Sequence, residues 1–285
     1  MIIGHHIGKK DLLDDIRKQV KLPFNAYQIF ASSPKSWAVS SNALDINKEV
    51  LMLRELCYTH NVFLVIHGKY LYNFCRDSSI QTEVLIKELQ YAAKISSDVG
   101  IIIHQGKNTL GLSRDEAVQQ FCDNIVHILE ETRDLQNKII LENSAHQGTE
   151  IGYSLEELAI IYNKINSPRI GICIDLCHIF VAGELDMREG VAVKSFFKRF
   201  NKLIGIENLT VIHYNDSNAK FDSHNDCHGD ICAGYIGQPR LGGTSDGFRV
   251  VAKIAKKHKI PMILETPACS SSYNNQILGI MGLFP

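Results

Sequence analysis

The sequence lacks several features that would place it in a simple class of protein. It has no run of apolar residues long enough to span a bilayer, so we predict no transmembrane helix. Lys and Arg total 30 against 31 Asp and Glu, so the polypeptide alone is not a basic nucleic-acid-binding surface. The segment Met1–His6 lacks the basic and then apolar layout of a signal peptide. We therefore expect an intracellular protein, in the cytoplasm or the nucleus, with no membrane partner.

The cysteines form no recognisable framework. Eight are present, but none is arranged as CxxC, and the close pairs Cys173/Cys177 and Cys227/Cys232 have other spacings. This excludes paired zinc knuckles and gives no indication of a disulfide scaffold. We expect these residues to be mostly reduced and buried as small apolar groups.

Short β-branched runs alternate with helical patterns along the whole chain. The predicted strands are Ile2–Ile7, Ala26–Ala31, Val62–His67, Ile101–His104, Lys138–Asn143, Ile170–Asp175, Leu209–Asn215 and Pro261–Glu265. The predicted helices include Lys9–Val20, Asp45–Asn61, Ser79–Val99, Ser113–Asp134, Val191–Asn201 and Thr244–His258. The sequences Ser113-x-x-Glu116 and Ser154-x-x-Glu157 are capping boxes that mark two helix starts.

Eight βα units in 285 residues have the size and rhythm of a (β/α)₈ TIM barrel. The strands are apolar almost throughout, which is typical of parallel strands buried on both faces. No glycine-rich phosphate loop follows the first strand, which disfavours a doubly wound sheet. We predict one α/β barrel domain over residues 1–285. The single long irregular stretch, Asn215–Gly243, is expected to be a functional loop.

The predicted strands end in residues that bind metals. These residues are His67, His104, Glu142, Asp175, His213 and Glu265. The first five follow one another at intervals of 37, 38, 33 and 38 residues, about one βα unit each. The last interval is 52 residues, and the excess is the long loop, which carries Asp226-Cys-His228. Because the carboxyl ends of barrel strands meet on one face, all of these side chains should converge there.

Imidazole and carboxylate groups in such number favour zinc. With His178, which lies three residues after Asp175, the set reaches nine, more than one tetrahedral ion can use, so two or three metals are expected. A lone histidine at a strand end is more often a structural hydrogen-bonding residue, and an aspartate there is often a helix cap. Six such residues at successive strand ends are poorly explained by independent coincidences. Clustered metals of this kind activate water and hold phosphate esters, which predicts a metal-dependent hydrolase.

Five motifs carry a more specific resemblance. They are Gly171-Ile-Cys-Ile-Asp175-Leu-Cys-His178-Ile-Phe-Val-Ala-Gly183, Leu141-Glu142-Asn143, His213-Tyr-Asn-Asp216-Ser217, Asp226-Cys-His228 and Ile263-Leu-Glu265-Thr266-Pro267. With these motifs the sequence resembles the endonuclease IV family of apurinic/apyrimidinic (AP) endonucleases. The resemblance begins at Ile3-Gly4-His5-His6 and runs to Pro267, and all nine ligand positions of the family have a match.

The resemblance implies three zinc ions and a division of the nine residues among them. His67, His104 and Glu142 would hold the first ion. Glu142 would bridge to the second, which Asp175, His213 and Glu265 also hold. The third would be held by His178, Asp226 and His228. By the same resemblance, a metal-held hydroxide hydrolyses the phosphodiester 5′ to an abasic site and leaves a 3′-hydroxyl, with Glu142, Asp175 and Glu265 as catalytic carboxylates.

The resemblance also implies a partner and a surface for it. The partner is double-stranded DNA with abasic sites, which the family bends while it flips the abasic nucleotide out. The matching positions for DNA contact are Lys35, Tyr70 and Leu71, a cation with an aromatic and an aliphatic wedge. Departures from the family pattern, such as His146 and the Gly68-Lys69 pair before Tyr70, remove no ligand but bear on these contacts. We expect the protein to act as a monomer.

Two other functions remain open from the sequence. A sugar isomerase or epimerase on the same type of barrel would use His, Asp and Glu at strand ends with one or two divalent ions. A catalytically inactive DNA-binding relative would have no need of an intact ligand set. His178, Asp226 and His228, which the resemblance assigns to a third ion, distinguish an endonuclease from an isomerase. A one-metal isomerase has no evident use for them.

Overall fold

The computed structural model describes residues 1–8, 12, 24–38, 43–266, 276 and 279, with the backbone alone at 43–46. Its strands are β1 Ile3–His6, β2 Ala26–Phe30, β3 Phe63–His67, β4 Gly100–His104, β5 Ile139–Glu142, β6 Ile170–Asp175, β7 Leu209–His213, β8 Asp216–Ser217, β9 His228–Gly229 and β10 Met262–Leu264. Eight of them form a closed barrel in the order β1-β10-β7-β6-β5-β4-β3-β2. Every pairing in the barrel is parallel, so the predicted (β/α)₈ barrel is confirmed.

Helices follow the strands, and one of them, the short helix that carries His178, is wholly buried. Their bounds are α1 Ala43–Thr59, α2 Ser79–Ile95, α3 Arg114–Glu131, α4 Leu155–Ile165, α5 Leu176–Val181, α6 Gly190–Leu203 and α7 Asp246–His258. The predicted helix Lys9–Val20 falls almost entirely outside the described residues. The predicted helix Ser79–Val99 ends four residues early, since the chain becomes extended at Ser96. In the described part of the chain, no helix is long and apolar enough to cross a bilayer.

The two predicted capping boxes have different outcomes. Ser113 Oγ accepts from the Glu116 backbone N–H at 3.3 Å, and Glu116 Oε2 accepts from the Ser113 N–H at 2.8 Å, so that box is complete. Ser154 caps its helix in the same way, accepting from the Glu157 N–H at 3.3 Å. The Glu157 carboxylate does not return to the cap, because it forms a bidentate pair with Arg114 and accepts from the Gly152 backbone N–H.

The interior of the barrel explains why the predicted ligands meet. Seven strands each place one small or aliphatic residue in a separate internal cluster. These residues are Ala26, Val65, Ile102, Ile140, Cys173, Val211 and Ile263. Side chains along a strand alternate in direction, so the residue two positions further on points the same way, one layer higher. Those next residues are Gln28, His67, His104, Glu142, Asp175, His213 and Glu265. These residues line the open end of the barrel, which we call the mouth, and the internal cluster below them forms its floor.

The stretch Asn215–Gly243, expected to be irregular, contains a small ribbon made by β8 and β9. The buried Asp216 carboxylate anchors this stretch. It accepts from the backbone N–H groups of Ser217 at 2.7 Å, Ile236 at 2.9 Å and Gly237 at 3.1 Å. These bonds draw the loop back over the barrel mouth, and the ribbon delivers His228 to it.

Candidate metal centre

The first group at the mouth consists of His67, His104 and Glu142, from the ends of three adjacent strands. The Nε2 atoms of His67 and His104 each lie 3.4 Å from Glu142 Oε2. That oxygen is buried and has no hydrogen-bond partner among the described residues. A buried carboxylate oxygen without a partner costs free energy, and a cation between it and the two imidazoles would remove that cost.

The second group shares Glu142 and lies deeper in the mouth. His213 Nδ1 lies 2.7 Å from Glu142 Oε1, 3.0 Å from Glu265 Oε2 and 3.6 Å from Asp175 Oδ2. One imidazole nitrogen thus faces three carboxylate oxygens from three different residues. A proton can satisfy only one or two of those oxygens, whereas a divalent ion can bind all of them.

The third group combines α5 with the long loop. His178 and His228 face each other with their Nε2 atoms 3.4 Å apart. The two oxygens of Asp226 lie 3.2 Å from His178 Nε2 and 3.3 Å from His228 Nε2. Each imidazole therefore faces the other and one oxygen of the same carboxylate, as three ligands of one ion would.

These distances fit zinc. With Zn–N and Zn–O bonds of about 2.0–2.2 Å, neighbouring ligand atoms of a tetrahedral site lie about 3.3–3.6 Å apart. In the first and third groups the histidine Nε2 atoms lie 3.2–3.4 Å from the carboxylate oxygens, and the two Nε2 atoms of the third group lie 3.4 Å apart. The three groupings are also those in which His, Asp and Glu atoms come within 4.8 Å of one another. The buried clusters could thus bind metal.

Hydrogen bonds on the side away from the mouth fix the orientation of the imidazole rings of His67 and His178. The Nδ1 atoms of His67 and His178 contact the carbonyl oxygens of Gly68 at 2.8 Å and Asn143 at 3.0 Å. Donation of that N–H leaves Nε2 as the free lone pair, which points into the mouth. His213 has the opposite arrangement, since its Nε2 donates to Gln28 Oε1 at 2.8 Å and Nδ1 faces the carboxylates.

The pKa values of two residues at the mouth show that its carboxylates are stabilised by nearby positive charge. Burial alone would raise the pKa of Glu142, but the neighbouring imidazoles of His213 and His104 hold that pKa well below its usual range. Burial disfavours the charged form of His228, yet Asp175 and the hydrogen-bonded Asp226 raise its pKa to about 9. In the absence of metal, protons on histidine therefore take the place of cations.

Two cavities meet at the mouth. One, of about 420 Å³, is lined by residues from all three groups together with His6 and Tyr70. The other, of about 480 Å³, is lined by Tyr70, Leu71, Lys107 and Gln147 and shares His104 and Asp226 with the first. Tyr70 is 56% exposed at the border between them. Lys35 is on the neighbouring loop after β2.

Comparison with known proteins agrees with this geometry. The family described as xylose isomerase-like TIM barrel matches residues 16–270. An endonuclease 4 of Acanthamoeba polyphaga mimivirus is 34% identical over 278 residues, which cover 93% of this chain and 85% of the relative. The chain belongs to the endonuclease IV family of AP endonucleases. The resemblance inferred from the five motifs is confirmed.

Solved structures extend the comparison at the level of the fold. Endonuclease IV from Thermus thermophilus aligns with a TM-score of 0.80 and 24% identity, covering 99% of this chain and 98% of that one. A D-tagatose 3-epimerase-like protein aligns with a TM-score of 0.72 and 19% identity, covering 99% and 97%. The endonuclease IV barrel is thus shared with sugar epimerases, and the residues at the mouth must distinguish the two.

Several polar residues at the mouth are not among the site residues predicted from the sequence. Asn143 and Asn215 hold Asp175 in place. Asn143 Oδ1 accepts from the Asp175 N–H at 2.7 Å, and Asn215 Nδ2 donates to Asp175 Oδ2 at 2.7 Å. Gln28 Nε2 donates to Glu265 Oε1 at 2.5 Å. The available signal was a polar residue within an otherwise apolar strand, as in Ala26–Phe30. That signal is weak, because it does not say which partner the amide meets.

Proposed function

We propose that this protein is a zinc-dependent DNA-repair endonuclease that cuts duplex DNA on the 5′ side of an abasic site and leaves a 3′-hydroxyl. The observation that carries the proposal is the third group, His178, Asp226 and His228, which lines the same cavity as the other two groups. A phosphate ester needs stabilisation on several oxygens at once, and three adjacent cation positions suit it. A one-metal sugar epimerase has no evident use for the third position.

The proposed ligands follow the three groups. His67, His104 and Glu142 would hold one zinc ion, Glu142, Asp175, His213 and Glu265 a second, and His178, Asp226 and His228 a third. When bound, the ions would supply a hydroxide nucleophile at neutral pH and offset the charge of the phosphate. Four carboxylates against three divalent ions leave a net charge of about +2, which attracts the DNA backbone.

The protein residues have separate parts in this proposal. Glu142 holds two positions at a fixed separation, because its Oε2 faces the first group and its Oε1 faces His213. Asp175 and Glu265 complete the second position, and the Asn215 amide links them by contacting the Asp175 carboxylate and the Glu265 N–H. These three carboxylates are the proposed catalytic residues, since each orients the reacting phosphate through the ion it holds.

Contact with DNA is proposed at the rim. Lys35 would pair with a backbone phosphate, while Tyr70 and Leu71 would enter the base stack where the abasic nucleotide leaves it. An abasic nucleotide has no base-pairing energy to lose, so its rotation into the mouth is inexpensive and selects the lesion. The protein would act as a monomer with all of residues 1–285 in one barrel domain.

The direct test is incision of a duplex with a single tetrahydrofuran abasic analogue, labelled at the 5′ end. Zinc-replete protein should cut next to the analogue, and a DNA polymerase should extend the product, which reports a 3′-hydroxyl. A strong chelator should abolish cutting and zinc should restore it. Absence of incision by protein holding three zinc ions would refute the proposal.

Elemental analysis provides the second arm and separates the proposal from an epimerase. About three zinc ions per chain support the nuclease, whereas one or two manganese or magnesium ions support the epimerase. The variant His178→Ala should lose about one zinc ion and the activity. The matched control is His60→Ala, because His60 is exposed at the end of α1, away from the mouth.

Lys35→Ala tests the proposed backbone contact. Loss of one phosphate contact should weaken binding to abasic and undamaged duplexes alike and reduce the slope of log K against log salt by about 1. Unchanged affinity and slope would show that Lys35 does not contact the backbone.

A further inference from the structure

Lys69 is buried in the turn that joins β3 to Tyr70. Only 3% of this residue is exposed, although lysine is normally among the most exposed residue types. A buried ammonium group is tolerated only with polar partners, because its desolvation is expensive. Its Nζ donates to Ser32 Oγ at 2.5 Å and to the carbonyl oxygen of Ser33 at 2.8 Å. The lysine therefore reaches from the loop after β3 into the loop after β2.

A buried carboxylate completes this arrangement from the outer helix layer. Glu88 lies on α2, and its Oε1 is 3.9 Å from Lys69 Nζ, with both side chains almost wholly buried. Tyr72 donates its hydroxyl to Glu88 Oε2 at 2.8 Å, and Ser32 donates to Oε1 at 3.5 Å. Burial raises the pKa of Glu88, and the Tyr72 hydroxyl and the Lys69 ammonium oppose that rise.

The residues linked in this way adjoin the proposed DNA contacts. The Tyr70 N–H donates to the carbonyl oxygen of Pro34 at 3.2 Å, so the backbones of the two loops also touch. Lys35 follows Pro34 directly, and the Trp37 ring lies 5.8 Å from that of Tyr72. The loop that carries Lys35 and the loop that carries Tyr70 and Leu71 are thus joined by a buried ammonium group and by this backbone hydrogen bond.

We infer that the buried Lys69–Glu88 pair positions these two loops relative to each other, so that the phosphate contact and the stacking wedge engage DNA as a unit. The inference rests on the proposed function. Stability alone does not account for this pair. Replacing a buried ion pair with apolar residues of similar volume often leaves the stability of a protein unchanged or raises it. A fixed geometry between two binding loops is a reason to keep it. Both residues act through Lys35, Tyr70 and Leu71 and are positioning residues.

The test compares matched double variants. Lys69→Met with Glu88→Gln removes both charges and leaves an amide to accept the Tyr72 hydroxyl, so neither partner is left as an unpaired buried charge. The control is Lys87→Met with Glu83→Gln, which removes a Lys–Glu pair of the same helix that is 54% and 66% exposed. KM and kcat on the abasic duplex, bound zinc and the thermal midpoint are measured for each.

We expect the buried double variant to retain bound zinc and to raise KM by about tenfold or more, with a smaller fall in kcat. Misplaced binding loops should weaken the binding of DNA more than they slow the chemical step. The control should match the parent protein. If the buried variant keeps the parent KM, or if its kcat falls by as large a factor as its KM rises, the inference is overturned.

A second variant covers the case in which the double substitution fails to fold. Ser32→Ala removes one of the hydrogen bonds between the two loops, the one from Lys69 Nζ to Ser32 Oγ, while both charges remain paired, and it should also raise KM. A parent KM for this variant contradicts the inference. If the parent protein itself fails to cut the abasic duplex, the proposed function fails instead, which keeps the two failures distinct.

Discussion

Gln28→Leu should weaken zinc binding at the second position selectively. The Gln28 amide contacts three side chains: His213 Nε2 at 2.8 Å, Glu265 Oε1 at 2.5 Å and His6 Nδ1 at 2.9 Å. Leucine has a similar volume but can make none of these bonds. His213 would then be free to turn or to change tautomer, and its Nδ1 would no longer be held toward the carboxylates.

The expected size follows from the bonds that are lost. Loss of one outer partner of a metal ligand typically lowers metal affinity about 10–100-fold, or about 1.4–2.7 kcal/mol. Gln28 contacts two proposed ligands of the same ion, His213 and Glu265, so we expect the upper end of that range. The first and third positions should change little, because these three contacts include neither His104 nor a ligand of the third group.

The assay is competition with chelators of graded affinity, followed by elemental analysis of the protein after dialysis. The parent protein should release its ions at higher chelator strength than the variant, and the variant should pass through a stage with about two zinc ions. Gln105→Leu is the matched control. Gln105 is also a fully buried glutamine, next to His104, but its amide has no hydrogen-bond partner among the described residues.

Two results would refute the reasoning. Parallel release curves for the parent protein and Gln28→Leu would show that the amide does not govern the second position. A loss of zinc in Gln105→Leu as large as in Gln28→Leu would show that any buried glutamine near the mouth has this effect. In either case the role of Gln28 in orienting His213 toward the second position would have to be abandoned.

Three further predictions concern stability. In metal-free protein the pKa of His228 is raised from 6.5 to about 9. This group therefore stabilises the fold below about pH 6.5, by about 3.4 kcal/mol at most, and loses that contribution as the pH rises through 9. Thermal midpoints measured in chelator should fall between about pH 6.5 and 9.5, and those of zinc-saturated protein should not. Gly4→Ala should prevent folding, since the added Cβ would lie 1.5 Å from the carbonyl oxygen of Ala26. Gly8→Ala should fold normally, because its Cβ would meet no atom of the described residues within 4 Å, its chain neighbours apart; circular dichroism distinguishes the two variants. Ser113→Ala should lower the free energy of unfolding by about 1 kcal/mol in urea titrations, because it removes the cap of α3.

The barrel was predictable because its signals are local and periodic. Apolar strands at regular intervals predicted the eight βα units, and a ligand-type residue at each of six strand ends predicted the mouth. Both follow from side-chain alternation, which placed His67 directly above Val65 and Glu142 above Ile140. The third group was accessible only as a motif, because Asp226 and His228 lie in a loop without periodicity.

The contacts that orient the mouth were not predictable in the same way. The pairing of Gln28 with His213 joins residues 185 positions apart, and nothing local to either one indicates the other. The capping box predicted at Ser154 is incomplete because the Glu157 carboxylate pairs with Arg114, which belongs to a different helix. The burial of Lys69 likewise depends on Glu88, which the chain brings close only when α2 packs on the barrel. Tertiary proximity decides each of these cases.

The strand origins of the proposed ligands have a consequence for folding. The first group comes from three consecutive strands, β3 to β5, whereas the second joins β5 to the residue after β10. An intermediate that has docked only the first five strands could already hold an ion at the first position. The second position can form only when β10 has docked on β7, because Glu265 follows β10 directly. Zinc bound there would stabilise every form in which β10 is docked over the forms that lack it. The rate at which the last ion is taken up during refolding would then report the docking of the last strand.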